Sequence, residues 1–157
     1  MSSIVIDTNP LVYIYNNVSD LGERFAVLLG NLSRQRVLTV PKIVYGELSI
    51  MFNTINELDS FLDDTGIVIA EMNKDTYAEA AERWQTYNKR RSLICHQCGA
   101  KLENLSCRKC GEPIKIRQHI LTDFIIGACA LDTGKAIVTN DAGYYKTYFP
   151  ELNIITV

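Results

Sequence analysis

Residues 3–10 read SIVIDTNP, and this segment passes from a short apolar run into a turn and then into the start of a helix. The run has the length and composition of a buried strand, Asp7 follows it directly, and Pro10 suits the first turn of a helix. Residues 137–141 read IVTND, so a second apolar run leads into Asp141. The sequence therefore predicts two strands that each lead into an acidic residue.

Between these two segments and beyond the second, the chain alternates predicted strands with predicted helices. Composition and hydrophobic periodicity predict strands at 37–40, 66–70, 136–139 and 153–157. The same criteria predict helices at 24–32, 55–62, 74–90 and 123–132, after Pro41 and after Asp141. This alternation indicates an α/β protein with a mostly parallel sheet that helices cover on both faces. Ligands of such sheets gather beyond the carboxyl ends of the strands.

The size and composition of the chain are those of one globular domain. It has 157 residues, of which 47% are hydrophobic and 22% are charged, which is enough apolar material for a core. The longest apolar stretches, such as Phe124–Leu131, are much shorter than the roughly 20 residues that cross a bilayer. The first residues lack the basic segment of a secretory signal, so we expect a cytoplasmic protein without membrane contact.

Four acidic residues fall at the ends of strands or the starts of helices: Asp7, Glu47, Asp123 and Asp141. Taken singly, each has an ordinary explanation, as a turn residue, a partly exposed helix residue or a helix N-cap. Glu47 shares a helix face with Val44 and Met51, where a carboxylate is costly unless it is paired or binds a metal. Clustered carboxylates repel one another, and Mg²⁺ or Mn²⁺ accepts oxygen ligands of this kind. Together the four predict metal-assisted phosphodiester cleavage.

Two matched cysteine knuckles, CHQCG at 95–99 and CRKCG at 107–111, lie between the predicted helices at 74–90 and 123–132. Four thiolates satisfy the tetrahedral preference of zinc, so the spacing predicts Zn²⁺ bound by Cys95, Cys98, Cys107 and Cys110. Two disulfides or an iron–sulfur cluster are the alternatives. Cys129 lies among apolar residues, and we expect it to be a small buried core residue.

Basic residues are concentrated around these knuckles. Residues 89–117 carry a formal charge of +6, although the whole chain carries −2. One interpretation is phosphate contact, for which the candidate nucleic-acid-binding residues are Lys101, Arg108, Lys109, Lys115 and Arg117. The other interpretation is a solvated zinc module that only closes a long loop.

The acidic motifs resemble those of PIN-domain nucleases, in particular the VapC-type toxins of bacteria and archaea. The matching segments are IVIDTN at 4–9, Pro41 with V-x-x-E at 44–47, TDFIIGACA at 122–130 and VTND at 138–141, which Tyr144 and Tyr145 follow. The resemblance covers roughly residues 3–91 and 118–157, with the motifs in the correct order. A typical VapC-type chain lacks the cysteine segment, and in an archaeal ribosomal-RNA-trimming PIN nuclease the zinc ribbon generally follows the domain.

This resemblance implies a fold as well as a set of site residues. The fold is a single PIN-like domain over residues 1–157, interrupted by a zinc-ribbon-like insertion at 92–117. Its architecture is three-layer α/β/α, with five strands in the order 3-2-1-4-5. By the same resemblance, one or two Mg²⁺ or Mn²⁺ ions bind the catalytic acids Asp7, Glu47, Asp123 and Asp141. Their supporting residues are Thr8, Asn9, Thr139 and Asn140.

The implied function is a metal-dependent endoribonuclease that hydrolyses RNA phosphodiester bonds. It is either the toxin of a toxin–antitoxin pair, with an antitoxin protein as partner, or an RNA-processing enzyme similar to those that mature ribosomal RNA. The resemblance also implies a homodimer. The alternative is a non-catalytic zinc-dependent module that binds RNA or protein. His119 receives no role as a general base from the sequence.

Overall fold

A computed structural model describes residues 2–90, 93–94, 98, 100–102, 105–113 and 119–157 of the chain. Strands and helices alternate over most of this part. The strands are β1 (Ser3–Ile6), β2 (Val37–Pro41), β3 (Val68–Ala70), β4 (Leu93–Ile94), β5 (Lys101–Leu102), β6 (Ala136–Val138) and β7 (Asn153–Ile155). The helices are α1 (Thr8–Tyr15), α2 (Leu21–Leu32), α3 (Lys42–Met51), α4 (Ile55–Thr65), α5 (Lys74–Arg90), α6 (Leu121–Thr133) and α7 (Ala142–Tyr148).

Five of the strands form one parallel sheet in the order β3-β2-β1-β6-β7. When these five are numbered along the chain, the order is 3-2-1-4-5, and the predicted topology is confirmed. Val5 of the central strand β1 pairs with Thr39 on one side and with Ile137 on the other. The direction of strand addition reverses at β1, so the ligand crevice of such a sheet is expected beyond the ends of β1 and β6.

The position of β1 in the core explains why this strand is apolar from Ile4 to Ile6. Ile4, Val5 and Ile6 are fully buried, since helices cover both faces of the central strand. Phe124 of α6 is also fully buried and packs against this sheet. Burial of each such side chain stabilises the fold by about 1.5–3 kcal/mol relative to exposure.

The starts of two helices differ from the prediction. Helix α1 begins at Thr8, where the Asp7 carboxylate accepts the Thr8 N–H, so Pro10 lies inside the first turn. Pro is tolerated there because the first N–H groups of a helix have no partner within the helix. Helix α6 begins at Leu121, so the interpretation of Asp123 as its N-cap is wrong; Asp123 lies in the first turn.

The inserted segment contains a short antiparallel hairpin, in which Ile94 of β4 pairs with Lys101 of β5. Beyond it, Ser106 forms a bridge with Pro113. Cys95, Lys115 and Arg117 lie outside the described residues, so the complete predicted zinc site and two of the basic candidates stay predictions. In the described part of the chain, no helix combines the length and the apolar character needed to span a bilayer.

Candidate functional site

A cleft of about 450 Å³ opens beyond the carboxyl ends of β1 and β6. Parallel strands end at the same edge of the sheet, so residues that follow neighbouring strands meet there. The structure brings all four predicted acids to this cleft, together with His119 and Tyr144. The acids come from four places in the chain: Asp7 after β1, Glu47 on α3, Asp123 on α6 and Asp141 before α7.

Asp7 is the most buried of these acids, with 7% of its surface exposed. Its Oδ1 accepts a hydrogen bond from the Thr8 N–H (2.8 Å), and its Oδ2 accepts one from the Thr139 hydroxyl (2.7 Å). Burial raises the pKa of Asp7 to about 6; the two hydrogen bonds oppose this shift, while the charges of Asp123 and Glu47 add to it. A positive charge in the cleft would therefore favour the ionised form of Asp7.

The residues predicted to support the acids have different positions. The hydroxyl of Thr8 donates to the Glu47 carboxylate, and the fully buried Thr139 donates to Asp7. Asn9 lines the cleft. Asn140 points elsewhere, because its side-chain amide lies 3.4 Å from the hydroxyl of Tyr13.

Asp123 and Asp141 are each held by a backbone N–H group at the start of a helix. Oδ2 of Asp123 accepts the Ile120 N–H at 2.9 Å, and Oδ1 of Asp141 accepts the Tyr144 N–H at 3.3 Å. Such contacts fix both carboxylates close to a helix N-terminus, where the helix dipole favours negative charge. The same contacts account for the positions of Asp123 and Asp141 in the sequence, since acidic side chains are favoured at the starts of helices.

His119 is the site residue to which the sequence assigned no role. Its Nδ1 lies 3.6 Å from Asp123 Oδ2, and its Nε2 lies 3.8 Å from Asp141 Oδ2. Contact with Asp123 raises the pKa of His119; burial opposes this shift, and the charges of Asp141 and Asp7 add to it. His119 and Asp123 are four residues apart, the spacing that brings two side chains together on one helix. Here, however, His119 lies before the start of α6.

The chemistry of the cleft fits a hard divalent cation, although the side chains do not converge on one point. Among the residues that the structure describes, no group of three or more His, Cys, Asp or Glu side chains is arranged to hold a metal ion. Instead, each of the four carboxylates accepts a hydrogen bond from a protein group. Their oxygen-rich donor set is nevertheless the type that Mg²⁺ and Mn²⁺ take in proteins.

The second cysteine knuckle has a turn that suits a thiolate. The N–H of Gly111 donates to the Cys107 carbonyl at 2.8 Å, and Gly111 has a φ of 77°, which glycine adopts without strain. Backbone N–H groups of Cys110 and Lys109 lower the pKa of the Cys107 thiol. Among the described residues, Cys98, Cys107 and Cys110 form no disulfide, and Cys129 is fully buried, as predicted.

Comparison with known proteins agrees with this architecture. The PIN domain model matches residues 4–150 of the chain. The crystal structure of VapBC2 from Rickettsia felis bound to a DNA fragment from their promoter contains a similar chain, with a TM-score of 0.62, 17% sequence identity and 98% of each chain covered. At this identity the likeness concerns the fold alone. No curated protein sequence matches. Because the family model spans nearly the whole chain and its fold is the one observed, the chain belongs to the PIN domain family.

Proposed function

We propose that this protein is an endoribonuclease that hydrolyses RNA phosphodiester bonds with a divalent cation, Mg²⁺ or Mn²⁺. The proposed cation ligands and catalytic residues are Asp7, Glu47, Asp123 and Asp141. PIN domains are generally metal-dependent nucleases, so membership of the family supports the reaction class. The choice of RNA, and of these two ions, is our proposal.

One observation carries the proposal: four carboxylates from distant parts of the chain line a single cleft at the point where the strand order reverses. A cluster of this kind repels the phosphates of a nucleic acid unless a cation is present. It also costs folding energy, because Asp7 is buried with its charge opposed by two neighbouring acids. Such a cost is characteristic of sites that are retained for function.

Neighbouring groups of the chain hold the carboxylates of the cleft in fixed orientations. The Thr139 hydroxyl and the Thr8 N–H hold the two oxygens of Asp7, while the Thr8 hydroxyl holds Glu47, so Thr8 aligns two acids at once. When bound, the cation supplies polarisation of the scissile phosphate and a lower pKa for water. We assign Thr8 and Thr139 as positioning residues and Asn9, which lines the cleft, as a supporting residue.

We propose a toxin–antitoxin role as the leading biological context, with a small antitoxin protein as partner and a homodimer as the assembly. The similarity to a chain of VapBC2 from Rickettsia felis supports this context. An RNA-processing enzyme is the second candidate, and the inserted cysteine segment favours it because insertion of a basic module suits a specific RNA. We propose that Cys95, Cys98, Cys107 and Cys110 bind structural Zn²⁺ in that module.

A cleavage assay tests the proposed function. Single-stranded and structured RNAs are incubated with the wild type and with Asp7→Asn and Asp123→Asn, in the presence of Mg²⁺, Mn²⁺ or a chelator. We expect the wild type to cleave RNA only when the cation is present. In both variants the cleavage rate should fall by at least about 100-fold, because each substitution removes a charged ligand. Asp63→Asn is the matched control, since Asp63 is an exposed acid on α4 outside the cleft.

The same samples separate the enzyme from a non-catalytic binding module. Circular dichroism of both variants checks that the fold is intact. An intact wild type that binds RNA without cation-dependent cleavage of any substrate would contradict the nuclease and favour the binding module.

A further inference from the structure

The hydroxyl of Tyr144 is a buried donor in the acidic cleft. Only 6% of the Tyr144 surface is exposed, and the hydroxyl has no hydrogen-bond partner among the residues that the structure describes. A phenylalanine would fill almost the same volume without burying a polar group. Since an unsatisfied buried hydroxyl destabilises a fold, its presence in the acidic cleft points to a partner within that cleft.

The ring of Tyr144 packs among several aromatic rings, two of which adjoin Asp123. The imidazole of His119 stacks on it, with centroids 4.2 Å apart and an interplanar angle of 19°. The ring of Phe124 contacts the ring of Tyr144 edge to face, with centroids 5.3 Å apart and an interplanar angle of 89°. Both neighbours adjoin Asp123, because His119 contacts the Asp123 carboxylate and Phe124 is the next residue in α6. The ring is therefore fixed beside the third acid of the cleft.

Tyr144 is a hydrogen-bond donor at neutral pH, because a phenol keeps its proton well above that pH. A neutral phenol close to carboxylates donates to them in preference to any other role. Oδ2 of Asp123 already accepts the Ile120 N–H and faces His119, so Oδ1 is the oxygen to which a further donor is suited.

We propose that Tyr144 is a positioning residue for the cation: its hydroxyl donates to the Asp123 carboxylate when that side chain turns toward a bound ion. The inference rests on the proposed function, since it assumes the cation site. Carboxylates that bind metals usually accept a hydrogen bond from a neighbouring group, which fixes their orientation. In this arrangement the hydroxyl of Tyr144 gains a hydrogen-bond acceptor when the cation binds.

The Tyr144→Phe variant tests this proposal. The full chain is titrated with Mn²⁺, and binding is measured by calorimetry and by the electron paramagnetic resonance signal of free Mn²⁺. We expect Mn²⁺ affinity about tenfold weaker than in the wild type, the usual loss when such a partner is removed. The melting temperature of the metal-free variant should equal or exceed that of the wild type, because the unsatisfied hydroxyl is gone. Tyr77→Phe, at an exposed tyrosine on α5, should change neither quantity.

The Asp123→Asn background makes the test specific. If Tyr144 acts through Asp123, then Tyr144→Phe should cause no additional loss of Mn²⁺ affinity in Asp123→Asn. Unchanged affinity in the single variant, additive losses in the double variant, or a parallel fall of melting temperature and affinity would each overturn the proposal. A wild type that binds no Mn²⁺ overturns the proposed function itself, and thereby differs from a failure confined to Tyr144.

Discussion

The hydroxyl of Thr139 connects the first and last acids of the cleft: it donates to Oδ2 of Asp7 at 2.7 Å, across 132 positions of sequence, and accepts the N–H of Asp141 at 2.9 Å. Thr139 directly follows β6, and Asp7 directly follows the neighbouring strand β1. The pair is buried, so the hydrogen bond operates without competition from water. One side chain thus sets the orientation of a carboxylate and of the turn that carries another.

Thr139→Val should reduce both stability and cation affinity. It removes a buried hydrogen bond to a charged group, so we expect a loss of about 1.5–3 kcal/mol in the free energy of unfolding, measured with urea. Mn²⁺ affinity should fall because Asp7 loses its orientation. Thr39→Val is the matched control: it removes the buried hydrogen bond from Thr39 to the Ile4 carbonyl, costs about 0.5–1.5 kcal/mol and leaves Mn²⁺ affinity unchanged. Equal Mn²⁺ affinities in the two variants would refute the positioning role.

The ion pair between Arg83 and Glu151 should appear in the acid stability of the protein. Arg83 donates to both carboxylate oxygens at 3.0 and 2.8 Å, which lowers the pKa of Glu151 from 4.5 to about 2. The charged form is favoured by folding, so this stabilisation is complete above pH 4.5 and disappears as the pH falls toward 2.

Melting temperatures of Glu151→Gln and the wild type, measured from pH 7 to pH 2, test this pair. The variant should be less stable at pH 7, and the difference should shrink between pH 4.5 and 2. Glu82→Gln, at an exposed position on α5, should match the wild type at every pH. A Glu151→Gln deficit that stays constant down to pH 2 would contradict the assignment.

Gly134 is required by close packing and not by its backbone angles. A Cβ atom at this position would lie 2.1 Å from the carbonyl oxygen of Ser3, at the start of the central strand. Backbone atoms there cannot move aside cheaply, so Gly134→Ala should cost about 1–3 kcal/mol of unfolding free energy. Gly30→Ala places its Cβ in open space on α2 and should stabilise the protein by about 0.5–1 kcal/mol. Chemical denaturation of both variants checks the opposite signs.

Zinc should be present in the purified chain at about one ion per molecule, as four thiolates require. Elemental analysis measures it, and Cys110→Ser should lower the content, whereas Cys129→Ser should not, because Cys129 is a buried core residue. Chelation should expose residues 92–117 to protease while the melting transition of the main domain persists. Iron in place of zinc, or disulfides among these cysteines, would contradict the zinc proposal.

The exposed basic residues Lys101, Arg108 and Lys109 should contribute to RNA binding through phosphate contact. Their simultaneous replacement by alanine, in the Asp123→Asn background so that RNA survives, should weaken binding. The slope of log affinity against log salt concentration should fall by about 2, as expected for three contacts to a single strand. Replacement of Arg24, Arg34 and Lys74, which are exposed on the main domain, is the control. Equal salt slopes in the two triple variants would favour a module that only closes the loop.

The sequence predicted the sheet order, and it singled out four acids that the structure brings to one cleft, because each depends on a local pattern or on a recognisable motif. The apolar run before Asp7 becomes a buried central strand, and Glu47 reaches the cleft from α3. The role of His119 was not predicted, because its position depends on where the insertion rejoins the domain. Hydrophobic periodicity carries no information about that point. Tyr144 was noted only as part of a motif, since the lack of a hydrogen-bond partner among the described residues is a property of packing. Asn140 was predicted to support the acids, but the turn directs it toward Tyr13.

The place of β1 in the sheet has a consequence for synthesis on the ribosome. β1 pairs with β2 on one side and with β6 on the other, and the N–H of Asp7 donates to the carbonyl of Val138 at 2.9 Å. A growing chain can therefore complete the first pairing early, but the second only after residues 136–138 have emerged. Any activity that needs all four acids is silent until Asp141 has been added. The order of the strands thus delays the assembly of the acidic cleft until residues 136–141 have been added to the chain.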